Sequence, residues 1–394
     1  MKLFSIMKHY VCLLVIFIFN CLPIKRNKIF FISYYGAQYG CNPKYITEYI
    51  LSHYSNEKFD LVWAFNDVQS KGEIKGFRKV KTMSIRYFYE LCTSKIIITN
   101  FRTTDLFVKR NNQYYIQTWH SSLRLKQIEK DAEASLPLDY VKMAKKDSSK
   151  CNLLLSGCNY STQIFKRTFW FGGEIFPYGT PRNDIFFKSD KQRKENIYQK
   201  LQLSSGTKVA LYAPTFRKGN QLNNYYKDYN NLIKSLEKRF GGKWSVLVKM
   251  HPHLLSKSSQ LILGEKVLDV TSYDDVQELL SIADILITDY SSLMFDYALT
   301  KQPCFLYVPD LEDYINNERQ LYFDVNELPF ITVMSDKELQ EEIAEYDPNQ
   351  YQVKLTQFLN QISSYERGNA SEKLLKRIER ICFEDERSEF DEAV

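Results

Sequence analysis

The stretch that most constrains this chain is Leu279 to Asp310, LLSIADILITDYSSLMFDYALTKQPCFLYVPD. Ala283 to Thr288 is an apolar run of strand length. Asp289-Tyr290-Ser291-Ser292 is a polar turn, and Leu293 to Leu299 sets Leu293, Met294, Phe295 and Ala298 at helical spacings. Gln302-Pro303 stops that helix, because proline lacks the amide donor and clashes with the preceding turn. Cys304 to Val308 then reads as a second buried strand. Strand, tight loop, helix and strand in this order fit a parallel α/β sheet. A loop of this kind opens at the carboxyl edge of the sheet, where free backbone N–H groups and the helix dipole favour an anion. Ser291 and Ser292 would add hydroxyl donors, although the same serines would serve equally well as helix caps.

The same alternation runs through the rest of the chain. Lys28–Ser33, Phe59–Phe65, Lys95–Thr99, Tyr114–Thr118, Cys151–Ser156 and Glu174–Tyr178 read as strands, with helices at Lys44–His53, Ile85–Cys92 and Asn159–Phe169 between them. After a polar helix at Lys191–Leu201 come strands at Lys208–Tyr212, Trp244–Met250 and Lys266–Val270, and a helix at Val276–Ile282. Strands and helices alternating at this interval predict doubly wound parallel sheets. A chain of 394 residues has room for two such domains. The expected division is an apolar segment at 1–26, a first domain at 27–195, a second at 196–375 and an acidic tail at 376–394.

Composition narrows the function. Apolar residues at 44% and charged residues at 25% exclude a globally disordered chain. The net charge of +6 is mild and has no clustered basic stripe, which argues against a nucleic-acid partner. The eight cysteines are scattered without a CxxC pair, so they read as free thiols in a reducing compartment. Tyr10 to Ile24 is strongly apolar, with Lys2 and Lys8 before it and Lys25, Arg26 and Lys28 after it. It is short for a spanning helix, which needs about 20 residues. Its basic flanks fit a peripheral or monotopic helix on the inner leaflet of the cell membrane, at the cytoplasmic side. A buried first helix of a domain is the other reading.

Several side chains at strand ends are candidates for chemistry. His120 follows the strand Tyr114–Thr118; an imidazole there would take a proton from a hydroxyl, or would only brace its loop. Arg182, in Gly179-Thr180-Pro181-Arg182-Asn183-Asp184, would bind phosphate or pair with Asp184. Thr215 and Arg217 end the strand Lys208–Tyr212 and suit a diphosphate. Lys249, His251 and His253 admit three readings: phosphate contact, structural histidines, or a partial zinc site that lacks a third ligand at a recognised spacing.

Taken together, these motifs resemble the CDP-glycerol glycerophosphotransferase family of teichoic-acid and capsule polymer enzymes. The resemblance is carried by Ile287-Thr288-Asp289-Tyr290-Ser291-Ser292 with Phe295-Asp296-Tyr297-Ala298, and by Gln117-Thr118-Trp119-His120 with Leu125-Lys126 and Lys130-Asp131. Gly179 to Asp184, Ala213 to Arg217, Lys249 to Pro252, Asp274-Asp275 and Arg319 to Asp324 extend it over roughly residues 25 to 370. Ser121 and Gln320 stand where the family has glycine, and Leu328-Pro329-Phe330 lacks the usual following Gly-Pro. The resemblance implies a GT-B-like architecture, two Rossmann-like domains facing a cleft. It implies His120 as general base on the acceptor hydroxyl and His251 beside the developing charge. Arg182, Thr215, Arg217, Lys249, His253, Thr288, Asp289, Ser291, Ser292 and Asp296 would contact substrate. The donor would be CDP-glycerol or a related CDP-polyol, and the acceptor a lipid-linked polysaccharide or teichoic acid. No cofactor and no essential metal are expected. The alternatives are a GT-B glycosyltransferase using a nucleotide sugar and a non-catalytic scaffold for polymer assembly.

Overall fold

Apolar runs only four to six residues long become buried strands here because helices cover both faces of each sheet. The computed structural model describes residues 2–384 apart from 56, 218–221, 223, 224, 226, 252, 253, 255, 258–263, 318 and 319. The first sheet holds β1 (Lys25–Ile32), β2 (Asp60–Phe65), β3 (Arg78–Lys81), β4 (Ser94–Thr99), β5 (Tyr114–Gln117), β6 (Leu153–Leu155) and β7 (Glu174–Phe176). They lie in the order β3-β2-β1-β4-β5-β6-β7, every neighbouring pair parallel. The second sheet holds β8 (Lys208–Tyr212), β9 (Trp244–Val248), β10 (Val267–Asp269), β11 (Ile285–Thr288), β12 (Cys304–Tyr307) and β13 (Ile331–Val333). Its order is β10-β9-β8-β11-β12-β13, again all parallel. The expected α/β architecture of two parallel sheets is therefore present.

Alternation along β1 shows how the first sheet is covered. Ile29 and Phe31 pack with Trp63, Phe65, Ile96 and Ile98 on one face. Phe30 and Ile32 pack with Val62, Ala64, Ile97 and Leu91 on the other. The helix Ala370–Phe383 supplies Leu374, Leu375 and Ile378 to the first of these layers, so the chain returns to the first sheet after completing the second. Asp184 begins that helix by accepting from Ala370 N at 3.0 Å and Ser371 N at 2.8 Å. The Arg182–Asp184 pair considered from sequence is thus not formed; Asp184 is a helix cap.

The apolar amino-terminal segment is a helix, Lys2–Asn20. Cys12 and Ile16 pack against Phe88 and Cys92 of the helix Ile85–Thr93. Tyr10, Val11, Leu14, Phe17 and Ile18 are exposed on its remaining surface. Among the described residues no helix is long and apolar enough to cross a membrane. All eight cysteines are free thiols, and only Cys21 is exposed. The last ten residues of the acidic tail lie outside the described residues.

Candidate active site

In both sheets the strand order reverses direction once, between β1 and β4 in the first and between β8 and β11 in the second. Loops diverge at such points and leave a crevice at the carboxyl ends of the strands, where ligands of α/β proteins gather. The candidate residues sit on these loops or on the one beside them. His120 follows β5 and leans on the end of β4; Thr215 and Arg217 follow β8; Asp289 to Ser292 follow β11.

On the first side, the chain before His120 is forced into one path. Trp119 has φ of +51°, a left-handed conformation that needs outside support in a bulky residue. That support is polar: Asn42 Nδ2 donates to the carbonyls of Thr118 and Trp119 at 3.2 Å each, and Trp119 N donates to Gln117 Oε1 at 3.0 Å. Ser121 is not among the positive-φ residues, so serine in place of the family's glycine meets no backbone strain there. The imidazole of His120 stacks on Trp119 at 4.5 Å, and its Nδ1 lies 3.0 Å from the Asn100 carbonyl. A carbonyl only accepts, so Nδ1 carries the proton and Nε2 keeps its lone pair. The residue as a whole is solvent-accessible, while protein packs closely about its imidazole. Desolvation by the surrounding protein, together with the charges of Arg182 and Arg124, pushes it down to about 4 against the opposing bond to Asn100. It is therefore a neutral acceptor at neutral pH.

The other side is braced more heavily. Asp289 accepts from Thr215 N at 2.8 Å and from Arg217 Nη2 at 2.8 Å. Arg217 also binds Asp310 through Nε at 2.8 Å, and its guanidinium lies 4.9 Å from the ring centres of Tyr290 and Tyr314. Burial would lower its pKa, but Asp310 and Asp289 hold it well above its usual range. Thr288 Oγ1 donates to the Ala213 carbonyl at 2.7 Å. Arg217, Thr288 and Asp289, expected to contact substrate, thus have their polar groups engaged in tying the two loops together. Thr215 Oγ1 is buried and has no hydrogen-bond partner among the described residues. Lys249 Nζ donates to the carbonyls of Thr271 and Tyr273 at 2.8 and 2.7 Å, and burial pushes it down to about 8. His251 is half-buried with its ring 5.5 Å from that of Phe216, while His253 lies outside the described residues, as does Arg319.

The contest between cap and anion site at Ser291-Ser292 resolves in part. The helix that follows is only Leu293–Tyr297, and Ser292 makes no side-chain cap bond. Ser291 Oγ accepts a long bond of 3.4 Å from Leu293 N. Met294 N and Phe295 N donate back to the carbonyls of Ser291 and Ser292. Five residues support little dipole, so the expected helix-terminus field is weak; what remains are two half-exposed hydroxyls.

Arg182 and Asp296, also expected to contact substrate, are instead buried and packed against each other. Asp296 is fully buried and Arg182 is 2% exposed, and the two form an ion pair. Asp296 further accepts from Ser122 Oγ at 2.8 Å, Ser122 N at 3.3 Å, Asn183 Nδ2 at 3.1 Å and Gln277 Nε2 at 3.2 Å. Glu366 joins this network by accepting from Asn183 Nδ2 at 3.2 Å and Thr180 Oγ1 at 2.7 Å, and burial pushes it up to about 7. Gly157 leaves the room, since a Cβ there would come within 2.6 Å of Ser122 Cβ and 2.8 Å of Glu366 Oε1. Sequence reasoning missed Asn42, Ser122, Gln277 and Glu366. Of the residues in this network, Asn183 lay inside the motif Gly179 to Asp184 and Ser122 two residues beyond His120, which was the available signal.

The two halves meet through more than Asp296. Lys44 of the helix Cys41–His53 forms ion pairs with Asp275, at 2.8 Å, and with Glu278. Lys126 bridges to Leu321, with Gln127 N on the Gln320 carbonyl at 2.9 Å and Tyr322 N on the Leu125 carbonyl at 2.7 Å. The loop that starts at His120 is therefore stitched to the opposite lobe.

The profile of the family described as CDP-Glycerol:Poly(glycerophosphate) glycerophosphotransferase matches residues 14–380. A teichoic acid poly(glycerol phosphate) polymerase of Staphylococcus epidermidis is 34% identical over 367 residues, which are 89% of this chain and 50% of that protein. A Bacillus spizizenii protein of the same description is 30% identical over 375 residues, 92% of this chain and 94% of its own length. The chain thus spans about half of the first relative and nearly all of the second. A solved structure of the wall teichoic acid polymerase TagF superposes with a TM-score of 0.82 at 31% identity, covering 93% of each chain.

Proposed function

The chain belongs to the CDP-glycerol:poly(glycerophosphate) glycerophosphotransferase family, and from that premise we propose that it transfers glycerol phosphate from CDP-glycerol to a hydroxyl of a cell-surface polymer or lipid-linked acceptor, releasing CMP. The observation that carries this reading is the proton arrangement of His120. Its Nδ1–H is spent on the Asn100 carbonyl, and the neutral Nε2 is left to accept. The acceptor oxygen attacks the β-phosphorus, and its proton passes to Nε2. The bond from that phosphorus to the bridging oxygen breaks, and its electron pair leaves with CMP. Catalysis is then mainly placement and charge stabilisation, as in phosphoryl transfer generally. The half-exposed hydroxyls of Ser291 and Ser292 are the groups available to the diphosphate. His251 stands by the leaving side, and Lys249 shapes the strand end beneath it. We assign no metal or organic cofactor. The donor assignment has support in a TagF variant solved after a CDPG soak.

The helix Lys2–Asn20 supports a membrane-side location for this activity. Its exposed apolar residues, with Lys25 and Arg26 just beyond, suit the inner leaflet at the cytoplasmic side. The test is a donor panel with purified protein and a short acceptor. CMP release, and a product heavier by one glycerol phosphate, supports the proposal. A product heavier by a sugar, with no phosphate gained, makes the chain a glycosyltransferase. Donor binding without turnover makes it a scaffold.

A further inference from the structure

The fully buried carboxylate of Asp296 lies between the two halves of the site and touches parts of both. It belongs to the turn Leu293–Tyr297, four residues beyond Ser292. From there it grips the His120 loop on both flanks. On the far flank it binds Ser122 directly, through Oγ at 2.8 Å and N at 3.3 Å. On the near flank it holds Arg182, whose backbone N donates to Asn42 Oδ1 at 3.0 Å. Asn42 in turn holds the carbonyls of Thr118 and Trp119 at 3.2 Å, immediately before the histidine. Gln277 Nε2 donates both to Asp296, at 3.2 Å, and to Asn183 Oδ1, at 3.1 Å, which closes the network across the lobes.

The geometry points to Asp296 as a positioning residue that sets the separation between the His120 base and the donor loop, without itself touching substrate. Burial argues for this role over substrate contact, because none of its surface is accessible. Charge argues for it too. A lone carboxylate inside protein is unstable unless its oxygens are satisfied, and here five donor groups converge on it from both lobes. A shared acceptor of this kind works as a ruler. The donors fit it at one relative placement of the loops and lose contact at others. In-line phosphoryl transfer depends steeply on that placement.

The inference rests on the activity proposed above, so its test includes a readout that does not need turnover. Two variants are used, Asp296→Asn and the milder Ser122→Ala, which leaves the Arg182–Asp296 ion pair in place if the first fails to fold. CDP-glycerol affinity is measured by calorimetry, turnover by CMP release, and His120 by its ring resonances. With five histidines in the chain, a His120→Gln spectrum assigns the signal. Expected in Asp296→Asn is a kcat lower by about 10²-fold, with donor affinity within roughly twofold of the parent. Ser122→Ala is expected to lose less, in the same pattern, and both variants move the His120 resonances. Donor affinity falling tenfold or more while His120 stays unmoved would make Asp296 a substrate ligand and overturn the proposal. If the parent protein neither binds nor turns over CDP-glycerol, the donor assignment falls. The positioning role then stands or falls on the resonances alone, and unmoved resonances sink it.

Discussion

The two loops that face each other across the crevice are built on opposite plans. The donor-side loop is locked from within: Asp289 and Asp310 clamp Arg217, Thr215 N closes onto Asp289, and two tyrosine rings flank the guanidinium. The base-side loop has a solvent-accessible histidine whose ring, among the described residues, bonds to a backbone carbonyl. Its order is borrowed from Asn42, Asp296 and the opposite lobe. The difference divides labour. A rigid, self-contained loop suits a donor whose diphosphate has a fixed shape. A loop that borrows its order suits a base that must meet a variable acceptor and remain in contact with water.

That contrast breaks most sharply at His120. His120→Ala is expected to lower CMP release by about 10²–10⁴-fold. CDP-glycerol binding should survive, and calorimetry beside the rate assay checks both. Equal loss of binding would place the histidine on the donor side and erase the contrast. Arg217→Ala attacks the other plan. It strips the partner from the buried Asp289 carboxylate, so a stability loss of about 3–5 kcal/mol is expected in denaturant melts, together with weakened donor binding. A variant that melts like the parent would mean that the donor loop is not held by this clamp.

Acid–base behaviour separates the two regions again. His120 has its pKa lowered to about 4, so the acid limb of the rate profile should fall well below the ordinary histidine range near 6.5. Glu366, buried in the network behind the base-side loop, is raised to about 7 from 4.5. A carboxyl raised on folding holds its proton more firmly in the native state. Its stabilisation is therefore complete below pH 4.5 and is lost as pH rises through 7, by roughly 3 kcal/mol. Glu366→Gln should flatten that part of the stability profile, which thermal melts across pH 4.5–8 would show; an unchanged slope would contradict it. The smallest effects are expected on the amino-terminal helix, where the two faces part company. Ile16→Ala should cost about 2 kcal/mol, as the residue is 2% exposed against Phe88. Phe17→Glu, on the exposed face, should leave the melt alone and weaken binding to anionic vesicles, read by co-sedimentation.

Much of the fold was legible because buried parallel strands are short apolar runs, and β1, β4, β8 and β11 stand out as such. The edge strands β3 and β13 did not. Three of the four residues of Arg78–Lys81 are basic and Ile331–Val333 is three residues long, so neither offers a buried run or a period to read. The helices Tyr229–Phe240 and Leu138–Lys150 were also passed over. The second has charged or polar residues at most positions and buries only Val141, Ala144, Asp147 and Ser148. In the site, position at strand ends was readable, but partnership was not. Arg182, Arg217 and Asp296 look alike in sequence whether they meet a phosphate or one another. Only packing distinguishes a polar residue spent on the protein from one left for a ligand.

One feature of the path of the chain constrains how the crevice can open. The polypeptide leaves the first sheet after β7, builds the second, and comes back to lay Ala370–Phe383 against β1 and its neighbours. The second lobe is thus tethered to the first by two crossings. Two tethers act like the paired pins of a hinge: they permit rocking about the line that joins them and resist twisting or sliding across it. Any opening of the crevice must also part the Lys44 and Asp296 contacts between the lobes, and a cut in either tether would loosen the restraint without removing a residue from the site.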